Sequence, residues 1–341
     1  MEYQRLGTSG LKVSKIILGC MSYGSSAWRD WVLDEEKALP LFKAAYDAGI
    51  NTWDTADTYS NGESEKLVRK AIEKYNIPRK KVVILTKCYF PVNEEDPGFS
   101  VLSWADRPEL INQTGLSRKH IFDAVDASVA RLGTYIDVLQ IHRLDQETPA
   151  EEVMEALHDV VKSGKVRYIG ASSMYAHEFA TLQFTATLHG WTKFISMQNY
   201  YNLAYREEER EMNPFCDKTG VGLIPWSPIC AGLLARPYDQ QTTRSQTDVY
   251  YKLFYSNRDK TREAAIDKEI VQRVEKVAKD KGVSMAAVAI AWVLGKGCAP
   301  IVGLSSEKRI QEAVDSLKVK LTDEECKFLE EPYEPKKIQG H

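Results

Sequence analysis

Eight short runs of β-branched and apolar residues recur along the 341-residue chain, alternating with stretches of helical periodicity. They cover residues 16–18, 50–53, 82–86, 136–141, 166–171, 194–197, 222–225 and 300–302. Brief apolar runs separated by amphipathic segments read as buried strands joined by helices. Each helix supplies the right-handed crossover that parallel neighbours need. Eight such units fit an open doubly wound sheet or a closed ring. The doubly wound dinucleotide fold should carry G-x-G-x-x-G after an early strand. That string is absent: Gly295-x-Gly297 runs into Pro300, and Gly220-x-Gly222 into Pro225. Repeat count and length therefore predict the α/β class, as a single (β/α)8 TIM barrel with residues 1–341 forming one domain.

Local signals frame the helices. Asp34 precedes Ala38, Leu41, Phe42 and Tyr46, and Ser117 precedes Ile121, Val125, Val129 and Leu132. Thr148-Pro149-Ala150-Glu151 reads as a capping box with proline at the first helical position. Gly49, Gly133, Gly164, Gly190 and Gly282 mark helix ends. Ahead of the barrel, residues 3–5 and 13–14 flank Gly7 and Gly10 and predict an N-terminal β-hairpin at the barrel bottom. Two connections, 88–115 and 229–261, are long. They follow strands 3 and 7, on the side where barrel active sites sit.

Charge excludes several functions. Lys plus Arg total 45 against 48 Asp plus Glu, a net −3, with no basic stripe for nucleic acid. No apolar run approaches the roughly 20 residues of a membrane span, and residues 1–5 lack an apolar signal region. Cysteines 20, 88, 216, 230, 298 and 326 form no C-x-x-C pair, so free thiols and a cytoplasmic location are expected. The six histidines are isolated and no metal is expected. No face stands out as abnormally apolar, which leaves the oligomeric state open.

In such a barrel, reactive groups belong at the C-terminal ends of strands. Those positions hold Asp54 with Tyr59, Lys87, His142-Arg143, Ser172-Ser173, Gln198-Asn199, Trp226-Ser227 and Gly303 to Ser305. A carboxylate, a phenol, an ammonium and an imidazole thus converge from three adjacent strands. The set suits proton donation to a carbonyl oxygen. A free phenol has a pKa of about 10; an adjacent ammonium lowers it, and a buried carboxylate keeps that ammonium charged. Each residue alone has an ordinary structural reading, an ion pair or a core histidine, but four at four rim positions point to a site.

These residues resemble the aldo-keto reductase superfamily over almost the whole chain. The resemblance is carried by residues 51–59 (NTWDTADTY) followed by Gly62-Glu63-Ser64-Glu65, by Ile84 to Lys87, Asp137 to His142, Ile169 to Ser173 and Gln198-Asn199. Within it the chain looks most like the fungal aryl-alcohol dehydrogenase and versiconal-type reductase branch. The resemblance implies hydride transfer from NADPH to an aldehyde or ketone. Tyr59 would be the general acid, Lys87 would lower its pKa, Asp54 would pair with Lys87, and His142 would orient the carbonyl. Ser172, Ser173 and Gln198 would hold the nicotinamide carboxamide, with Trp226 stacked on its ring and Gly19, Cys20 and Met21 beneath it. Ser227, Ile229, Gly232 and Leu233 would meet the pyrophosphate. Gly303, Ser305, Lys308, Arg309 and Glu312 would meet the adenosine end, where Lys308 and Arg309 favour NADP(H) over NAD(H).

The substrate expected is a small carbonyl or alcohol. Trp28, Trp31, Phe90, Arg143, Trp104 and the Tyr250, Tyr251, Phe254 and Tyr255 cluster are candidate walls, which would favour flat aromatic molecules. The same side chains could equally pack the loops. An alternative of another class is a nicotinamide-binding regulatory subunit resembling potassium-channel beta subunits.

Overall fold

The structure, a computed structural model, describes residues 1–100, 107–240, 246–247 and 262–341. The candidate walls Trp104 and Tyr250 to Tyr255 lie outside the described residues. A hairpin of β1 (Tyr3–Arg5) and β2 (Lys12–Ser14) comes first. Eight parallel strands follow: β3 (Ile17–Gly19), β4 (Thr52–Asp54), β5 (Val83–Cys88), β6 (Ile136–Ile141), β7 (Val166–Ser172), β8 (Phe194–Gln198), β9 (Gly222–Leu223) and β10 (Ile301–Gly303). They lie in chain order, with β10 beside β3. The ring closes where Ile301 N donates to Pro225 O at 2.9 Å and Ala299 N to Leu223 O at 3.0 Å. The expected barrel is therefore the fold, each predicted strand within a few residues of its place. Regular pairing in β9 stops early because Pro225 has no N–H to give. Ile224 N and Trp226 N still reach Met197 O and Asn199 O, so the strand's path continues.

Helices α1 (Glu35–Asp47), α2 (Glu63–Lys74), α3 (Arg118–Leu132), α4 (Ala150–Lys162), α5 (Ala176–His189), α6 (Met212–Thr219), α7 (Arg262–Lys281), α8 (Met285–Gly295), α9 (Glu307–Asp315) and α10 (Asp323–Glu330) accompany the strands. Ser117 caps α3 by accepting from His120 N at 3.2 Å. All five predicted helix-ending glycines have positive φ. The capping box at Thr148 is not formed. Pro149 takes the cap position of α4, while the Thr148 hydroxyl donates to Asp145 Oδ2 at 2.6 Å. In a capping box the threonine hydroxyl accepts from a backbone N–H; here it serves as the donor to a carboxylate.

The hairpin closes the bottom of the ring. Leu6 and Val13 share a buried cluster with Ile17, Val83, Leu85, Val138, Ile224 and Ile301. Gly7, at φ +59, lies so close to the chain entering β9 that a Cβ there would stand 2.2 Å from Gly220 O. Strand side chains alternate with a period of two. Val83 and Leu85 face this inner cluster, whereas Ile84 and Cys88 face the helices. That alternation turns Lys87 inward, one layer above Leu85. No helix among the described residues is long and apolar enough to cross a membrane.

Candidate active site

Above the apolar floor the barrel interior becomes polar. Lys87, fully buried, donates from Nζ to Asp54 Oδ2 at 2.7 Å, Thr55 O at 2.8 Å and Tyr59 OH at 3.1 Å. Burial works against its charge, yet Asp54 and the phenol hold the lysine pKa above its ordinary value. At Tyr59 burial raises the phenol's pKa from its ordinary value; Lys87 pulls it down, as expected, and Asp54 adds to the rise. The ring of His142 meets that of Tyr59 edge-on at 5.8 Å. Burial, with Lys87 and Arg143 nearby, holds His142 well below the usual histidine range, so its imidazole is neutral. Its Nδ1 is buried with no hydrogen-bond partner among the described residues. The four predicted groups are thus brought together: Lys87 holds the phenol oxygen, Asp54 holds Lys87, and His142 meets the phenol ring edge-on.

The residues that hold this group were only partly anticipated. Asp54 Oδ1 accepts from Gln140 Nε2 at 2.9 Å and Gln198 Nε2 at 3.0 Å, and Gln198 Nε2 also reaches Gln140 Oε1 at 2.8 Å. Gln140 lies within the 137–142 stretch, and its place on the strand two residues before His142 is the signal that the sequence offers for it. Gly170 leaves room for it, since a Cβ there would stand 2.4 Å from Ser196 Oγ and 3.1 Å from Gln140 Cγ. Behind the 54–59 segment, Ser64 Oγ donates to Cys20 O at 3.0 Å and accepts from Thr55 Oγ1 at 2.9 Å. Buried Glu65 accepts from Thr86 Oγ1 at 2.5 Å and pairs with Arg131 Nε at 2.6 Å. Nothing in the sequence marks Arg131 as the partner.

The predicted cofactor residues form three groups. At the first, the Ser172 hydroxyl donates to Gln198 O at 2.9 Å, and Trp226 Nε1 donates to Ser173 Oγ at 3.1 Å. One face of Trp226 lies on Tyr200, ring centres 4.5 Å apart and planes 22° from parallel. Gly19 and Cys20 are buried beside Asp54, and Met21 packs on the cluster that contains Tyr59. The second group is the turn after Trp226. Ser227, Cys230 and Ala231 all adopt left-handed φ near +50, followed by Gly232 at +97. Left-handed non-glycine residues are strained and concentrate at functional loops, and successive N–H groups in such turns form anion-binding concavities. Ile229 and Leu233 anchor the turn by packing on neighbouring apolar clusters. Arg236, unmarked in the sequence, lies against it: a Cβ on Gly232 would stand 2.6 Å from Arg236 Nη2.

The third group divides. Gly303 ends β10, and Arg309 Nη1 donates to Ser305 Oγ at 2.5 Å. Lys308 and Glu312 instead line a groove of about 470 Å³ with Val283, Ser284 and Gln311. The two adjacent cations therefore face different surroundings. Among the wall residues, Trp28 lies 6.2 Å from Tyr59 between ring centres, with Val32 and Ala56 in the same buried cluster and Trp31 packed on it. Phe90 meets His142 edge-on at 5.2 Å. Arg143 Nη1 donates to His142 O at 2.6 Å. Of the described wall candidates, Trp28 borders the phenol and Phe90 the imidazole, while Trp31 packs on the Trp28 cluster and Arg143 holds the His142 backbone.

The profile described as the Aldo/keto reductase family matches residues 15–334. The chain is 61% identical to versiconal hemiacetal acetate reductase of Aspergillus parasiticus, over 99% of this chain and 98% of the relative. It is also similar to two proteins named "putative aryl-alcohol dehydrogenase". The one from Schizosaccharomyces pombe is 58% identical, over 99% of this chain and 97% of the relative. The one from Saccharomyces cerevisiae is 55% identical, over 98% and 97%. A barrel of this topology, an Asp-Lys-Tyr-His cluster at its mouth and full-length similarity lead to one conclusion: the chain belongs to the aldo/keto reductase family of oxidoreductases, alongside its fungal versiconal-reductase and aryl-alcohol-dehydrogenase relatives.

Proposed function

We propose that this protein reduces an aromatic aldehyde or ketone with NADPH, and in reverse oxidises the alcohol, with Tyr59 as the general acid. The observation that carries the reading is Tyr59 OH at 3.1 Å from the buried Lys87 ammonium, itself held by Asp54. The nicotinamide would rest on the face of Trp226 opposite Tyr200, its carboxamide toward Ser172 and Ser173. The left-handed turn at 227–232 suits the pyrophosphate, and Arg309 with Ser305 suits the 2′-phosphate. The bound cofactor supplies the hydride.

The chain's own residues do the rest. A phenol with a raised pKa stays protonated near neutrality, so it is a donor. As negative charge develops on the substrate oxygen, the proton moves to it from Tyr59. Lys87 then stabilises the phenolate that remains, because opposite charges at hydrogen-bond distance in a dry site interact strongly. His142, neutral, can share a hydrogen bond with the same oxygen without competing for protonation. Trp28 and Phe90 exclude water and offer flat apolar faces. Those faces, and relatives named for aryl alcohols, support an aromatic substrate. Six free thiols support a reducing, cytoplasmic setting.

The test is a panel of aryl and alkyl aldehydes and ketones followed by loss of NADPH absorbance. Aryl substrates should turn over, and Tyr59→Phe should lower kcat by about 100-fold or more while still binding NADPH. Undiminished turnover in that variant would remove Tyr59 from the reaction. Cofactor binding without turnover of any panel member would favour a regulatory subunit instead.

A further inference from the structure

The two residues that follow Tyr59 tie the general acid to the loops around it. Ser60, Asn61 and Gly62 take left-handed φ of +49, +51 and +93 in succession, and Ser60 and Asn61 are buried. Left-handed non-glycine residues persist only where their surroundings over-determine them. Here the surroundings are two connections at the barrel mouth. From the connection between β3 and α1, Ser25 N donates to Ser60 Oγ at 3.1 Å. Gly24 lies so close that a Cβ there would stand 2.2 Å from the same oxygen. The connection between β5 and α3 holds the Asn61 amide. Asn61 Nδ2 donates to Phe99 O at 2.9 Å and Pro97 O at 3.2 Å, and its Oδ1 accepts from Asn93 N at 3.2 Å. The 93–99 segment in turn backs the first connection, since a Cβ on Gly98 would stand 3.2 Å from Ala27 O. The next residue is Trp28, whose ring borders that of Tyr59.

Both N–H groups and the oxygen of the Asn61 amide are thus engaged with 93–99. Backbone and side chain therefore have separate tasks at this position. The left-handed backbone sets how the chain leaves Tyr59, and the amide sets where 93–99 stands behind the Trp28 loop. We propose that Asn61 is a specificity-determining residue, which through 93–99 fixes the distance of Trp28 from the phenol and so the slot that takes the substrate's aryl group. Ser60 holds the same loop directly, through Ser25. Contact between a wall and an aryl ring remote from the reacting carbon is made alike in the ground state and the transition state. Its loss therefore falls on KM rather than on kcat. The inference rests on the carbonyl-reductase reading above and adds to it the residue that sets aryl selectivity.

The experiment is steady-state kinetics of wild type and Asn61→Gly with benzaldehyde and with propanal at saturating NADPH. Glycine takes a left-handed φ without strain, so this variant keeps the turn and removes only the amide. KM for benzaldehyde should rise by about 10-fold, the scale of the lost hydrogen bonds, with kcat within about 2-fold of wild type. Propanal has no ring to meet the wall, and its KM should stay within about 2-fold. A fall in kcat for both aldehydes at unchanged KM would mean that the amide steadies the phenol itself, and would overturn the proposal. Unchanged constants, or an equal rise in KM for both, would do the same. If Asn61→Gly does not fold, Asn61→Asp carries the test, because it keeps the acceptor for Asn93 N and loses the donor to Pro97 and Phe99. Loss of folding in both variants would make the residue purely structural and end the proposal. Wild type inactive on both aldehydes would instead defeat the carbonyl-reductase reading, and this inference with it.

Discussion

Tyr59 and His142 titrate away from neutrality in opposite directions, and the sign of each shift fixes the expected pH profile. The phenol's pKa is raised above 10.0, so its donor form is lost only as pH climbs beyond that value. The imidazole's is lowered well below 6.5, so it is neutral at every higher pH. Neither group changes charge between those limits. The single-turnover rate of carbonyl reduction should therefore be flat across that window; a titration centred near neutrality would contradict the assignment. Residue types and spacing identified the four groups without coordinates. They give the sign of the Lys87 contribution but not the net shift of the phenol, because the cost of desolvation depends on how completely neighbouring elements bury a group, and Trp28 and Val32 reach Tyr59 from elsewhere in the chain.

At the scale of elements, the two basic residues opening α9 separate. Arg309 returns to Ser305 in the turn after β10, whereas Lys308 looks into the groove against α8. Arg309→Ala is expected to lower kcat/KM for NADPH by about 10-fold or more, the scale of a charge-assisted phosphate contact, and to leave NADH almost unaffected. Lys308→Ala should do less. Kinetics with both cofactors in both variants decide it. A second element-level device is the clasp between α2 and α3. Arg131 reaches Glu65 at 2.6 Å and Ser128 at 3.1 Å, all three residues buried. Removing one member of a buried ion pair strands the other, so Arg131→Met should cost about 3–5 kcal/mol in denaturant unfolding. The sequence showed Glu65 within a motif, but its partner lies 66 positions away and only helix packing selects it.

Over the whole molecule, the hairpin and the rim divide stability from chemistry. Gly7 packs against Gly220 at the ring's floor, while the reactive groups stand at the opposite end of the strands. Gly7→Ala forces a side chain into a left-handed conformation and a 2.2 Å contact, and should lower stability by more than about 1 kcal/mol. Thermal unfolding should register the loss, with kcat near wild type in the folded fraction. The strand-helix repeat, the ring of eight and the inward turn of Asp54 and Lys87 were determined by the sequence itself. Hydrophobic periodicity is local, and a period of two or 3.6 residues commits each face before any long-range contact forms. The partners of Asp54, the separation of Lys308 from Arg309, the protonation of Tyr59 and the approach of Gly340 to Trp226 were decided only by tertiary structure. Each depends on distances between atoms far apart along the chain and on the water removed between them, and no local pattern encodes either.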